Sequence, residues 1–228
     1  MSDQDLLHHL RLAYDRSAAR REASNVQQWK AEERDRFLAM LRAEDKHRLI
    51  EIGAGTGVHG KWFQDQGLDV VCTDLSPGLV QLCRDKGLDA HVMDFLHLDF
   101  PPASFDAMFG MNCLLHVPRA DLQRNLAALR RVLKPGALFY WGQYGGIEFE
   151  GVWPDDTYEP KRFFSYMTDE QIELEATQLF EMVDFRFISI NAQGDLGYQA
   201  LVLRAQPALT GVLSPHHPRG ALEATPRR

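Results

Sequence analysis

Leu49-Ile50-Glu51-Ile52-Gly53-Ala54-Gly55-Thr56-Gly57 is the stretch on which the reading of the whole chain turns. A short apolar strand, residues 48–52, runs into glycines at every second position, and residues 57–66 beyond them have helical spacing until Gly67 stops them. Only glycine lets the backbone turn this tightly and still leave room for a ligand against it. A ligand held there lies at the carboxyl end of a strand and the amino end of a helix, where free N–H groups favour a carboxylate or phosphate.

The pattern repeats on the carboxyl side. Residues 70–74 form a second strand; Ser76-Pro77 caps the helix that follows, and Gly87 ends it. Residues 90–93 and 105–111 are a third and a fourth strand. Leu122, Leu126, Leu129 and Leu133 mark the apolar stripe of a helix closed by Lys134-Pro135-Gly136, and residues 137–141 are a fifth strand. Strands alternating with helices at this spacing predict an α/β fold with a doubly wound parallel sheet. The rhythm breaks at 145–166, where two prolines and several aromatics show no period, which predicts a long ordered loop acting as a lid. Thr168-x-x-Gln171 is a capping box, and residues 183–191 and 198–204 predict a C-terminal antiparallel hairpin that brings the sheet to seven strands. On the amino side, residues 3–43 read as two helices with Arg16, Arg20 and Arg21 between them, one carrying Leu6, Leu10 and Tyr14 on a face. The expected organisation is an N-terminal helical cap (1–44), the main domain (45–205, lid 145–167) and a flexible proline-rich tail (206–228).

Composition narrows the function. The chain has 228 residues, 45% hydrophobic and 25% charged, as an ordinary globular domain does. Its net charge of -7 lacks the basic footprint of a nucleic-acid binder, and no apolar run reaches the ~18 residues of a membrane span. An acid-bearing start without an apolar stretch, and three cysteines (Cys72, Cys83, Cys113) without CxxC spacing, predict a cytoplasmic protein with free buried thiols and neither a disulfide frame nor a zinc site.

The glycines alone admit two ligands. Gly55-x-Gly57-x-x-Gly60 followed by acidic Asp74 matches the dinucleotide fingerprint of an NAD(P)-dependent oxidoreductase. Glu51-x-Gly53-x-Gly55-x-Gly57 also resembles the first motif of class I S-adenosylmethionine (SAM) methyltransferases. The rest of the chain favours the second. Val70–Ser76 resembles that family's second motif, Met93-Asp94-Phe95 its third, residues 105–118 its fourth and residues 129–137 its fifth. By contrast, a short-chain dehydrogenase needs Tyr-x-x-x-Lys, and Tyr158-Glu-Pro-Lys161 is one residue short.

The resemblance implies a SAM site. Glu51, Gly53, Ala54, Gly55 and Gly57 would hold the methionyl part, Asp74 the ribose hydroxyls with Leu75 beside it, Met93, Asp94 and Phe95 the adenine, and Asn112 would lie along the methionyl half. His116, titrating near neutrality, is the candidate general base; Tyr14 and Tyr144 are candidates for the substrate pocket, with Trp29 and Tyr140 as weaker ones. His59 opens the first helix beside the glycines and either touches the cofactor carboxylate or faces solvent. Arg162, Phe163 and Phe164 either pack the lid or hold an acidic group of the substrate. No metal is expected, because His8-His9 and His216-His217 have no acid or cysteine at ligand spacing. Asn112-Cys-Leu-Leu departs from the Asn-Pro-Pro-Tyr form that cradles amide or exocyclic amine nitrogens, so a small molecule is the expected acceptor, with the atom unassigned. A SAM-binding subunit without catalysis is the alternative from another class.

Overall fold

A computed structural model of the chain describes residues 3–190 and 196–206. The elements in chain order are α1 (Asp3–Glu22), α2 (Gln28–Ala43), β1 (Arg48–Ile52), α3 (Val58–Asp65), β2 (Asp69–Asp74), α4 (Pro77–Asp85), β3 (Asp89–Val92), β4 (Phe105–Met111), a single 3-10 turn at Leu114–His116, α5 (Arg119–Val132), β5 (Leu133–Gly145), β6 (Phe149–Val152), β7 (Phe163–Tyr166), α6 (Asp169–Thr177), β8 (Phe180–Ile188) and β9 (Gly197–Ala205).

Seven strands form one sheet in the order β3-β2-β1-β4-β5-β9-β8. The first five are parallel, and β9 and β8 join antiparallel to β5 and to each other. The predicted fold class and terminal hairpin are therefore present. The parallel strands are apolar on both faces because helices cover both. Ile50, Ile52, Val71, Phe139 and Trp141 face α5 and α6, while Leu49, Val70, Cys72, Leu138 and Tyr140 face α2, α3 and α4. Chain order reverses between β1 and β4, and their carboxyl ends frame the crevice in which such sheets take ligands. Both predicted caps form: Ser76 Oγ accepts from Leu79 N–H above Pro77, and Thr168 and Gln171 make the reciprocal box.

Three expectations need correction. Residues 145–166 are not a loop throughout; β6 and β7 pair as a small antiparallel hairpin over the rim. Each strand has only four residues, too few for a period to show. Arg16, Arg20 and Arg21 do not separate two helices; they belong to the second half of α1, whose last turn Arg20 and Arg21 suit as cations at a helix carboxyl end. Strand β5 begins at Leu133 and runs through Lys134-Pro135-Gly136, with an irregular register against β4 between Phe105 and Ala107. The end of the 183–191 strand, His216-His217 and the tail from residue 207 lie outside the described residues.

Candidate active site

The turn after β1 brings three glycines to left-handed φ angles, +58° at Gly53, +59° at Gly55 and +76° at Gly57. Space, however, is left open at only one of them. A Cβ on Gly53 would lie 2.4 Å from Cβ of Cys113, and one on Gly57 2.7 Å from Leu88 Cδ1. At Gly55 it would meet only the Arg21 guanidinium, at 3.3 Å. Gly57 thus serves packing as the cap of α3 and lines neither cavity described below, unlike Gly53 and Gly55.

Asp74 ends β2 with a buried carboxylate. Its two oxygens each accept one N–H, from Gly55 at 2.8 Å and from Ser76 at 2.9 Å. Burial pushes its pKa up to about 6 against the pull of those donors and of Arg21. Glu51 is buried under α3, where it takes the Cys72 S–H at 3.6 Å and the Gly60 N–H; burial raises its pKa to about 8, so it is protonated at neutral pH. Asp94 closes its own turn, accepting from the N–H groups of Leu96 and His97 at 2.9 Å and from the His97 ring. Asn112 follows β4 at φ +57°, donates its N–H to Gly142 O at 2.7 Å, and keeps a buried Oδ1 with no partner.

Two cavities meet at this rim. The first is bounded by Gly53, Gly55, Asp74, Leu75, Met93, Asp94, Phe95 and Asn112, and is closed from above by Leu6, Leu10, Tyr14 and Arg21 of α1. The apolar stripe of α1 therefore faces a cavity, not the core. The second, of about 480 Å³, is bounded by Glu51, Ala54, Lys30, His59 and Tyr144, and by Trp153, Asp156, Arg162, Phe164 and Tyr166 of the hairpin region. Tyr14, Arg21, Gly53, Met111, Asn112 and His116 line both.

At that junction His116 Nδ1 lies 2.7 Å from the Phe163 carbonyl, which can only accept, so Nδ1 carries the hydrogen. Nε2 then accepts from the Tyr14 hydroxyl, also at 2.7 Å. The Arg162 guanidinium donates to the same hydroxyl at 3.2 Å and is held by a two-pronged ion pair to Asp156. Burial, with Arg162 and Arg21 nearby, pushes the His116 pKa down to about 3, against the pull of the Phe163 carbonyl, and keeps the ring neutral. The Tyr14 hydroxyl thus occupies the ring nitrogen that would otherwise be free.

Of the other candidates, Tyr144 faces the second cavity. Tyr140 does not; it is fully buried, with its hydroxyl on Glu33 at 3.3 Å. Trp29 packs against Tyr198. Tyr158 and Lys161 do not form a reducing pair: the Tyr158 ring lies 3.5 Å beneath Arg162, and Lys161 donates to the Pro154 carbonyl. The sequence marks Arg21 only as part of a basic cluster and gives no site role to it, to Lys30 or to Asp15. Asp15 accepts from Ser76 Oγ and Gly78 N–H and anchors α1 on α4. The only signal for them is the polar face of α1 (Asp15, Arg21) and of α2 (Lys30), which any exposed helix has. Among the described residues, no group of three or more His, Cys, Asp or Glu side chains is placed to hold a metal ion, and no helix is long and apolar enough to cross a membrane.

A family model described as a methyltransferase domain matches residues 50–141, from β1 into β5. The chain is 29% identical over 106 residues to a malonyl-[acyl-carrier protein] O-methyltransferase of Serratia marcescens, covering 46% of this chain and 41% of that one. It is 32% identical over 132 residues to a demethylmenaquinone methyltransferase of Clavibacter sepedonicus, covering 54% and 50%. The chain thus spans half or less of the length of these relatives. In fold it is similar to the Burkholderia thailandensis 1,6-didemethyltoxoflavin-N1-methyltransferase, solved with 1,6-didemethyltoxoflavin and S-adenosylhomocysteine, with a TM-score of 0.69, 20% identity and coverage of 91% and 92%. Sheet order, glycine turn and strand-end acids define a class I methyltransferase fold. Residues 50–141 match the methyltransferase-domain family, and the fold around them is that of SAM-dependent methyltransferases.

Proposed function

We propose that the chain is an enzyme that moves the methyl group of SAM to an O, N, S or C nucleophile of a small molecule. The observation that carries this reading is the meeting of the two cavities at Gly53, Asn112, Tyr14 and His116. One cavity has the furniture of a nucleoside site and the other an aromatic lining, so a group crossing between them passes a tyrosine–histidine pair.

The residues present fit the cofactor. Asp74 still has lone pairs free for two ribose hydroxyls after accepting from Gly55 and Ser76. Met93 and Phe95 offer apolar faces to an adenine, with the Asp94 carboxylate between them in sequence. The bare Cα of Gly55, the unpartnered Asn112 Oδ1 and the Arg21 guanidinium suit a charged amino-acid moiety. When bound, SAM supplies a methyl that its sulfonium already makes electrophilic. What remains for the chain is to place a nucleophile in line, about 3 Å from the methyl, and to exclude water. Helix α1 and the 145–167 segment do the second as the cap and lid of the main domain. Tyr14 orients the nucleophile through its hydroxyl oxygen, and His116 Nε2 accepts the Tyr14 hydrogen bond; burial makes this imidazole a weak base, so it shares the Tyr14 proton and positions the hydroxyl rather than storing a charge. Tyr144 forms the far wall.

The acceptors named for the relatives differ among themselves, so they support a small-molecule acceptor without choosing its atom. Three buried free thiols support a reducing compartment, the cytoplasm. Incubating the full chain with SAM and a fractionated metabolite pool tests the reading. Acceptor-dependent formation of S-adenosylhomocysteine is expected. Binding of S-adenosylhomocysteine with no turnover on any fraction would leave a sensor or partner subunit instead.

A further inference from the structure

The second cavity contains more positive charge than its walls neutralise. Arg162 is paired with Asp156, Asp155 is exposed, and Glu51 is held in its neutral form. Arg21 lines both cavities and feels Asp74. Two further donors belong to the second cavity alone. The Lys30 ammonium is half-buried and makes no hydrogen bond or ion pair with any described residue; it lies 5.4 Å from the centre of the Tyr144 ring and 5.2 Å from that of Trp29. His59 is close enough to feel Lys30, and its buried Nδ1 has no partner. An ammonium withdrawn from water without a counter-charge is unfavourable. The unpartnered Lys30 ammonium and the unpartnered His59 Nδ1, in a cavity also lined by Phe164 and Tyr166, point to an anion seated against aromatic rings.

We propose that Lys30, with His59 beside it, holds a carboxylate of the methyl acceptor, and that the acceptor is therefore an aromatic or otherwise planar acid. This rests on the methyltransferase reading. The cofactor also has a carboxylate, but Arg21 stands over Gly55 on the cofactor side, whereas Lys30 and His59 line only the acceptor cavity. The neutral Glu51 carboxyl does not repel an acid there.

The test uses the full chain saturated with S-adenosylhomocysteine and a panel of aromatic carboxylic acids, each matched with its primary amide, followed by calorimetry. At least one acid should bind tenfold or more tightly than its amide. Lys30→Met should abolish that preference while changing the affinity for S-adenosylhomocysteine less than twofold, and Lys30→Arg should retain the preference. No acid binding better than its amide overturns the proposal. So does a tenfold loss of S-adenosylhomocysteine affinity in Lys30→Met with 5'-methylthioadenosine, which lacks the carboxylate, binding as before, because Lys30 then serves the cofactor. A wild-type chain that does not bind S-adenosylhomocysteine at all refutes the methyltransferase reading itself, which is a separate result.

Discussion

Asp74 and Glu51 are both buried acids at strand ends, and their surroundings give them different work. Asp74 is bound by two backbone N–H groups and faces the cavity, so it fixes the glycine turn and has acceptor capacity left for a ligand. Asp74→Ala should weaken S-adenosylhomocysteine binding by about 1–3 kcal/mol, the cost of leaving polar partners unpaired. Calorimetry on variant and wild type measures it, and NAD binding more tightly than S-adenosylhomocysteine to the wild type would overturn the cofactor assignment. Burial lifts the Glu51 pKa from 4.5 to about 8 and outweighs the pull of its hydrogen bonds and of Arg34. Between those values the folded protein keeps a proton that the unfolded chain has released, so stability falls as pH rises. On going from pH 5 to pH 8 the wild type should lose on the order of 3 kcal/mol more stability than Glu51→Gln, as read by urea unfolding. Equal losses would show that Glu51 is ionised in the fold. The sequence placed both acids at strand ends, which strand length and the glycines made legible. It did not reveal the neutral state of Glu51, because that depends on α3 lying close enough for Gly60 to be glycine: a Cβ there would sit 2.5 Å from the carboxyl oxygen.

At the level of elements, the 3-10 turn after β4 and the β6–β7 hairpin hold the same imidazole. The turn presents His116, the hairpin accepts its Nδ1–H through Phe163, and α1 occupies Nε2 through Tyr14. Three segments far apart in sequence thus converge on one ring, which no local pattern could disclose. Repeating motifs exposed the strands and helices of the sheet because each repeats over several residues. The hairpin stayed hidden because its strands are four residues long, and the stripe of Leu6, Leu10 and Tyr14 was visible while the cavity it faces was not. His116→Ala should leave S-adenosylhomocysteine affinity within a few-fold, since the residues proposed to hold the nucleoside lie on other elements, and lower turnover by about 10²-fold or more if the ring takes a proton in the transition state. Steady-state kinetics alongside calorimetry decides this; a loss of turnover below about threefold would reduce His116 to a strut for Phe163 and Tyr14.

Across the whole molecule, the ligand-binding rim is roofed by parts that the sheet does not hold. Helix α1 rests on α4 through Asp15 to Ser76 and Gly78 and through Glu22 to Lys86. Other polar ties cross from it to His116, through Tyr14, and to the hairpin region: Tyr14 to Arg162, Arg16 to the Glu159 carbonyl and Arg21 to the Tyr158 hydroxyl. Three rings and an arginine cover the second cavity from that side, whereas β1, β4 and β5 below are packed on both faces. Local opening is drawn from segments with few buried apolar contacts and exposed hydrogen bonds, and α1 and residues 149–166 are such segments here. With α1 in place, its side chains form one wall of the first cavity. Once inside, the ligand adds contacts to Leu6, Leu10 and Tyr14 and should hold the roof down. Amide hydrogen exchange should therefore slow on S-adenosylhomocysteine binding in α1 and in residues 149–166, by tenfold or more, with little change in β4 and β5, which are already protected. Unchanged exchange in α1, with slowing confined to the glycine turn and the end of β2, would mean that α1 is a fixed wall and that the cofactor enters by another side.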